Sequence, residues 1–411
     1  MTTAPKAIDP ALKTLVAKAV ARVLPEVVAF RHERHRTPEL TWQEEATSKA
    51  ILAKLEGLPG LEIRTGVAKH GIVATLTGAG PGPTVGLRAD MDALPLTEAS
   101  DKPYTSCKPG VMHACGHDGH MANLLGAAVV LTDPEVRRHL NGQVKFIFQP
   151  AEEGGAGGDV MVKEGALEAP DVDVIFGLHG WPELAVGHAG FKVGAIFAST
   201  AELKIVVRGR GCHAAFPHLG TDQVLIGARI VDALQSISSR FVAPTEPVAV
   251  TIAKFHGGTA TNIVPAEVVL EGTVRTTSFA ARDRVAAAIE KLARGIAEAH
   301  GAEAVVTLKH GYPPTVNEAK ATAYLESVAR AVLPKEHVHQ LAHSSMGGED
   351  FAYFLEKVPG SYFVLGVDDG RAGGYPSLHH PGYDFNDGAL PVGMALFVHA
   401  ALGYAAHAGA R

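Results

Sequence analysis

Met112-His113-Ala114-Cys115-Gly116-His117-Asp118-Gly119-His120 packs three histidines, a thiol and a carboxylate into nine residues of a 411-residue chain. Thiolate sulfur, imidazole nitrogen and carboxylate oxygen are the donors that hold divalent transition metals. Cys115 and His117 can converge on one ion only from a turn, and Gly116 between them permits it. The apolar run 121–131 then reads as a helix, so the cluster stands where a loop enters a helix N-terminus. Taken alone, a C-x-H pair is a weak motif and reads equally well as a histidine-rich turn beside a buried cysteine. The rest of the chain has to decide.

Outward from this stretch, strand-length apolar runs alternate with helical ones. Residues 10–35 carry helical periodicity, with a kink or break expected at Pro25, and 41–55 read as a second helix. Runs 71–76, 84–88, 144–148, 172–178 and 362–365 have the length and composition of strands; a Gly/Pro-rich turn at 78–83 separates the first two. This is an α/β pattern with a largely buried sheet of mostly parallel strands flanked by helices. Polar clusters fall where strands stop: Asp90-Met91-Asp92, Glu152-Glu153 and His179. Ligand sites in open α/β sheets lie beyond such carboxyl ends.

Residues 199–310 change rhythm. Strand 201–207, helix 222–239, strands 248–255 and 266–275, helix 280–300 and strand 304–309 give the order βαββαβ, the ferredoxin-like pattern. The expected organisation is one domain formed by 1–198 and 311–411, with 199–310 inserted into it.

Glu152 and Glu153 follow an apolar strand and precede Gly154-Gly155-Ala156-Gly157-Gly158. Adjacent carboxylates on extended backbone point in opposing directions, so one can bind a metal while its neighbour reaches a water. The bland alternative is a solvated acidic turn. A phosphate-cradling loop is a poor reading, because neither G-x-G-x-x-G nor G-K-[ST] is present. His179 could be a capped core histidine, His379-His380 a surface pair, and Cys212-His213 a plain loop; Cys107 reads as structural. Together, Cys115, His117, Glu153, His179 and one of the two late histidines give five ligands, which suits two ions better than one closed tetrahedral site.

A formal charge of −6 without a Lys/Arg run argues against nucleic acid or an anionic membrane as partner. No apolar run is read as reaching the roughly 20 residues a membrane span needs. Residues 1–10 lack an apolar core of signal-peptide type, and three cysteines make no disulfide framework. Cytoplasmic location is the default expectation.

The chain resembles the M20 metallopeptidase family, in the amidohydrolase branch that includes hippurate hydrolases, aminoacylases and auxin-conjugate hydrolases. The segments that carry the resemblance are His35-Arg36-Thr37-Pro38-Glu39-Leu40, Leu87-Arg88-Ala89-Asp90-Met91-Asp92-Ala93-Leu94-Pro95, His113 to His120, and Gln149-Pro150-Ala151-Glu152-Glu153-Gly154. Gly257-Gly258-Thr259-Ala260-Thr261-Asn262-Ile263-Val264-Pro265, Gly348-Glu349-Asp350-Phe351 and Leu378-His379-His380-Pro381 complete it. The resemblance implies a catalytic domain and a lid domain that also makes a homodimer. It implies that Cys115, His117, Glu153, His179 and His379 hold two divalent ions per subunit, zinc or manganese, with cobalt and nickel as alternatives. Glu152 would be the general base, with Asp90 and Asp92 standing behind the ligands. His213, Asn262 and Arg275 match lid residues that contact substrate, the first two often from the partner subunit. The expected substrate is a small N-acyl amino acid; a carboxypeptidase or dipeptidase using the same site, and a non-catalytic metal-binding protein, are the competing readings.

Overall fold

The computed structural model describes residues 8–409. Residues 1–7, on which the absence of a signal segment partly rests, lie outside them. The chain divides into two compact units, one of residues 1–194, 316–342 and 353–411, the other of 195–315 and 343–352.

The first unit is built on an eight-stranded sheet. Its strands are β1 (Leu61–Val67), β2 (Gly71–Thr77), β3 (Gly80–Asp90), β4 (Asn141–Gln149), β5 (Val174–Ala185), β6 (Ala189–Phe191), β7 (Val338–Gln340) and β8 (Gly360–Asp368). They lie in the order β1-β2-β4-β3-β5-β8-β6-β7. The central run β4-β3-β5-β8 is parallel, while β1, β2 and β6 join antiparallel. Phe146, Phe148, Phe176, Leu178 and Phe363 on the central strands are fully buried or nearly so. Each such side chain contributes about 1.5–3 kcal/mol relative to exposure.

Helices α1 (Pro10–Arg36), α2 (His117–Thr132), α3 (Ala319–Val332) and α4 (Leu390–Ala408) pack on this sheet. Helix α1 runs through Pro25 without the expected break. The proline removes one backbone donor, but the buried face Val16, Ala19, Val20, Val23, Val27 and Phe30 holds the helix together. Helix α2 is apolar all round and almost wholly buried, so the residues at its N-terminus enter the protein interior. The helix expected from Thr41 begins instead at Glu45. Trp42 takes a left-handed φ of 64° and the Thr41 hydroxyl is drawn to Asp92, which turns the backbone out of helix.

The expectation that no apolar run reaches membrane-spanning length fails at the C-terminal helix. The segment Asp387–Ala408 is long and apolar enough, by length and composition, to cross a membrane. Two-thirds of it is buried inside the fold, against α1, α2 and α3, which marks it as a core helix. Cys107, read as structural, is exposed.

The second unit carries an antiparallel sheet in the order 248–256, 267–276, 199–208, 303–310. Helices Gln223–Leu234 and Phe279–Ala299 pack on it, capped by Asp222 and Ser278. This is the βαββαβ arrangement, with its own core of Leu203, Ile205, Ile230, Val268, Leu270 and Ile289.

Within α4, His399 is 3% exposed, and burial, with Lys13 nearby, lowers its pKa to about 4. Between pH 6.5 and 4 the unfolded chain therefore binds a proton that the folded one refuses, so this group makes stability fall as pH drops. Acid denaturation followed by circular dichroism should show a shallower loss over that window in His399→Leu than in the wild type. Equal slopes would count against the assignment.

Candidate metal centre

The carboxyl ends of β3 and β4, the middle of β5 and the N-terminus of α2 supply one buried cluster of donors in the first unit. Gly116, immediately before α2, takes a φ of 92°, so the chain can turn between Cys115 and His117. Gly119, one turn into the helix, lies so close to the Phe385 ring that a Cβ would stand 2.1 Å from it. Both glycines let the motif loop sit down on its support.

His179 was expected to end a strand, but β5 continues past it to Ala185. Its Nδ1 faces the Gly180 carbonyl at 2.8 Å, which places the ring proton there and leaves Nε2 as a lone pair. That nitrogen stands 3.3 Å from Cys115 Sγ. His117 Nδ1 lies 3.4 Å from Asp92, and its Nε2 lies 4.0 Å from Glu153 and 3.8 Å from Asp90. Glu153 in turn is 3.3 Å from His379 Nε2. Three donor groups overlap: Cys115–His117–His179, His117–Glu152–Glu153 and Cys115–Glu153–His379. The five expected ligands and Glu152 are thus brought together, with Cys115, His117 and Glu153 each shared between groups.

His379 adopts a left-handed φ of 61°, a conformation costly for a residue with a Cβ, and donates its backbone N–H to Ala114. This pins the late loop to the Met112–His120 stretch and brings His379 Nε2 to Glu153, with the ring still open to solvent. His380 is exposed, and its Nδ1 accepts from the Gly382 N–H.

Behind these donors stand residues that hold them in place. Asp92 accepts from the backbone N–H groups of Glu152 and Glu153, at 3.0 and 2.9 Å, and from Thr41. Burial works to raise its pKa, but His117 and these donors hold it below the usual range. Asp90 accepts from Arg88 and, at 2.7 Å, from His120 Nδ1, while His120 Nε2 accepts from Gly180 N–H. Both nitrogens of His120 are therefore committed, so it supports the site without facing it. His120 stands in the motif, yet nothing in the local sequence marks this supporting role. Sequence reasoning misses Glu44 altogether, whose carboxylate accepts from Trp42 and Ala151 N–H and shapes the turn before Glu152.

The cluster fits a pair of cations. Among the described residues, neither ring nitrogen of His117 nor Glu153 Oε1 finds a hydrogen-bond partner, although all are shielded from solvent. Burial pushes the Cys115 thiol well up, and Glu153, Glu152 and Asp90 push it further. Burial opposes a charge on His117, yet Asp90, Asp92 and Glu153 raise its pKa to about 10, so the surroundings of this ring attract positive charge. Such a concentration of buried anionic donors is what bound cations neutralise. The expected lid residues His213, Asn262 and Arg275 belong to the second unit.

This centre, when filled, should hold about two ions per chain, because its donors exceed one tetrahedral set. Elemental analysis of the purified protein checks this, and a single ion after saturation would contradict it. Cys115→Ser should lower the content, since a serine hydroxyl is a poor anionic ligand at neutral pH.

Residues 86–403 match the model of Peptidase family M20/M25/M40. The chain is 38% identical over 365 residues to the N-acetyl-L-cysteine deacetylase of Bacillus subtilis, covering 89% of this chain and 85% of that one. It is 39% identical over 382 residues to the IAA-amino acid hydrolase ILR1-like 2 of Arabidopsis thaliana, covering 92% and 85%. Among solved structures it is similar to the Bacillus subtilis YXEP protein, a dinuclear metal-binding peptidase of the M20 family, with a TM-score of 0.81, 33% identity and coverage of 94% and 99%. The paired glutamates, the thiol–imidazole donors and the two-unit fold thus meet in one lineage, and the chain belongs to the M20 family as a metal-dependent amidohydrolase.

Proposed function

We propose that the chain hydrolyses the amide bond of N-acyl amino acids, hippurate-like substrates included, with Glu152 as general base beside two divalent ions. The observation that carries this reading is the buried pair Glu152–Glu153. Metal binding uses one carboxylate, and proton transfer needs a second beside it. The two relatives above are named for an N-acetylated amino acid and for an IAA-amino acid, which supports an acylated amino acid as substrate.

Cys115, His117, Glu153, His179 and His379 would hold the ions. Two cations there would supply Lewis acidity, acidifying a water and polarising the amide carbonyl. The thiolate favours zinc, cobalt or nickel, while the histidine and carboxylate set also takes manganese. Glu152 accepts the proton of the attacking water and delivers it to the leaving nitrogen. Asp92 fixes the backbone from which Glu152 projects, so the carboxylate is aimed before substrate arrives.

Arg275 is half-buried and has no carboxylate against it among the described residues, which supports its pairing with the free carboxylate of the substrate. His213 Nδ1 accepts from Ala215 N–H, so the neutral ring carries its proton on Nε2. That N–H suits charge developing on the amide oxygen. Asn262 neighbours it, just ahead of Ile263, which pairs with His213. We assign both to the site of a second copy in a homodimer built on this unit. Support comes from strand Val248–His256, an edge strand, and from exposed Val224, Leu225 and Phe255.

Glu152→Gln keeps size but accepts no proton, so hydrolysis of acetyl- and benzoyl-amino acids should fall by roughly 10²–10⁴-fold with metal content unchanged. Glu153→Gln should instead lose metal, and excess metal should restore part of its activity. The opposite pattern would reverse the two roles, and full activity in both variants would sink the reading. Dipeptides run alongside decide the substrate: faster hydrolysis of dipeptides than of acyl amino acids would make the chain a peptidase.

Mixing His213→Ala chains with Glu152→Gln chains should recover activity through hybrid dimers. No recovery from hybrids shown to form would mean that His213 does not serve a neighbour.

A further inference from the structure

Outside the metal centre, three histidines crowd the far edge of the first unit's sheet. His188 sits in the turn before β6, His339 lies on β7 and His337 ends the short helical turn before β7. Strands β6 and β7 pair in parallel, with His339 opposite Gly190, so the fold itself brings the rings together.

His188 Nδ1 and His339 Nε2 are 2.7 Å apart, with ring centroids 5.0 Å apart and planes within 12°. Those values describe two nearly coplanar imidazoles meeting nitrogen to nitrogen, an arrangement that needs one positive or hydrogen-bonding atom between two lone pairs. His337 stacks on His188 at 4.0 Å and 16°. Its Nδ1 faces the Gly187 carbonyl at 3.1 Å, which puts the proton on that atom and leaves Nε2 as a lone pair. The backbone of His188 is held on both sides, by its N–H to Ala185 and its carbonyl from Gly366 N–H. All three rings are half-buried, and Glu336 adds an anionic charge nearby. Burial, with His337 and His339 beside it, lowers the pKa of His188 and favours the neutral, ligating form.

We propose that His188, His337 and His339 form a second transition-metal site, separate from the catalytic centre, in which one divalent ion of the zinc type takes the place of the proton shared by His188 and His339. Imidazole is the ligand that zinc, nickel and copper accept readily. With Zn–N bonds of ~2.0–2.1 Å, two nitrogens on a tetrahedral ion lie roughly 3.4 Å apart, so the pair must open by less than about 1 Å while the two rings tilt until both lone pairs meet the ion. As the ion enters, the shared proton passes through solvent to the other nitrogen of the same ring, so both imidazoles bind in their neutral form. Water completes the coordination, or His337 does by turning its Nε2 from the stacked position.

The consequence is a clamp. The chain leaves the first unit after Gly194, just beyond β6, and after Ala342, just beyond β7. An ion between His188 and His339 ties these two exits together at an outermost strand of only three residues.

The test titrates holoenzyme, freed of loose metal, with Zn²⁺ by calorimetry, beside His188→Gln/His339→Gln. The result is read as wild type minus variant, so the stoichiometry of the catalytic centre cancels. The wild type should bind one further ion per chain with Kd on the order of micromolar, and the double variant should bind it at least ~10-fold more weakly. Hydrolysis should be unchanged in both, since none of these residues belongs to the catalytic machinery. His337→Gln should weaken the extra ion by a smaller factor. Equal binding by wild type and double variant, or no extra ion below about millimolar, overturns the proposal. If the double variant does not fold, modification of His188 by diethyl pyrocarbonate in the wild type decides: protection by Zn²⁺ supports the site, and none rejects it.

Discussion

The structure depends on keeping several anionic groups buried within a few ångströms of one another. Asp90, Asp92 and Glu152 are almost inaccessible, Glu153 is close to it, and the Cys115 thiol lies among them. In water each would be hydrated; in the interior that stabilisation is gone and their mutual repulsion is screened far less. Arg88 answers Asp90, and the ring of His117 stands among Asp90, Asp92 and Glu153 in surroundings that draw positive charge. The remainder of the balance is the place of divalent ions.

Holding that charge in register falls to a second buried network. Arg31, fully buried, donates to Asp118, Asp384 and the Phe385 carbonyl, and His35 pairs with Asp118 and Glu98. Burial works against the charge on Arg31, but Asp118, Asp384 and Asp387 outweigh it. Asp118 is next to His117 at the head of α2, and Asp384 and Phe385 follow the loop that carries His379. One guanidinium therefore joins the two segments whose side chains must meet at the centre. Removing one partner of such a buried set typically costs about 3–5 kcal/mol, because the others remain charged and unpaired. Phe385 adds a wedge against Gly119 and Gly180, at distances that exclude any Cβ there.

The division of labour between Glu152 and Glu153 follows from the same geometry. Asp92 holds the N–H groups of both, so the two side chains leave a fixed stretch of backbone toward different neighbours. Rigid backbone is what allows adjacent residues of one chemistry to serve as ligand and as base. The second unit has its own core, packed between its antiparallel sheet and two helices.

The sequence by itself determined the donor types, their clustering at strand ends and around Gly116, and the βαββαβ order of the second unit. Each is a local property: alternation, helical period and the glycine-permitted turn are written within a dozen residues. Other features came only with tertiary structure. Glu44 meets Ala151 across 107 residues, and Arg31 meets Asp384 across 353. A backbone hydrogen bond to Ala114 holds His379 where its Nε2 lies 3.3 Å from Glu153, while the ring of its neighbour His380 takes the Gly382 N–H. His120 is silenced as a ligand by Asp90 and Gly180. The apolar length of α4 is spent on the core, and helix α1 survives Pro25 because its buried face outweighs one lost backbone bond. In every one of these cases the outcome depends on which distant atom fills a hydrogen-bond or packing position, and no local pattern encodes that partner.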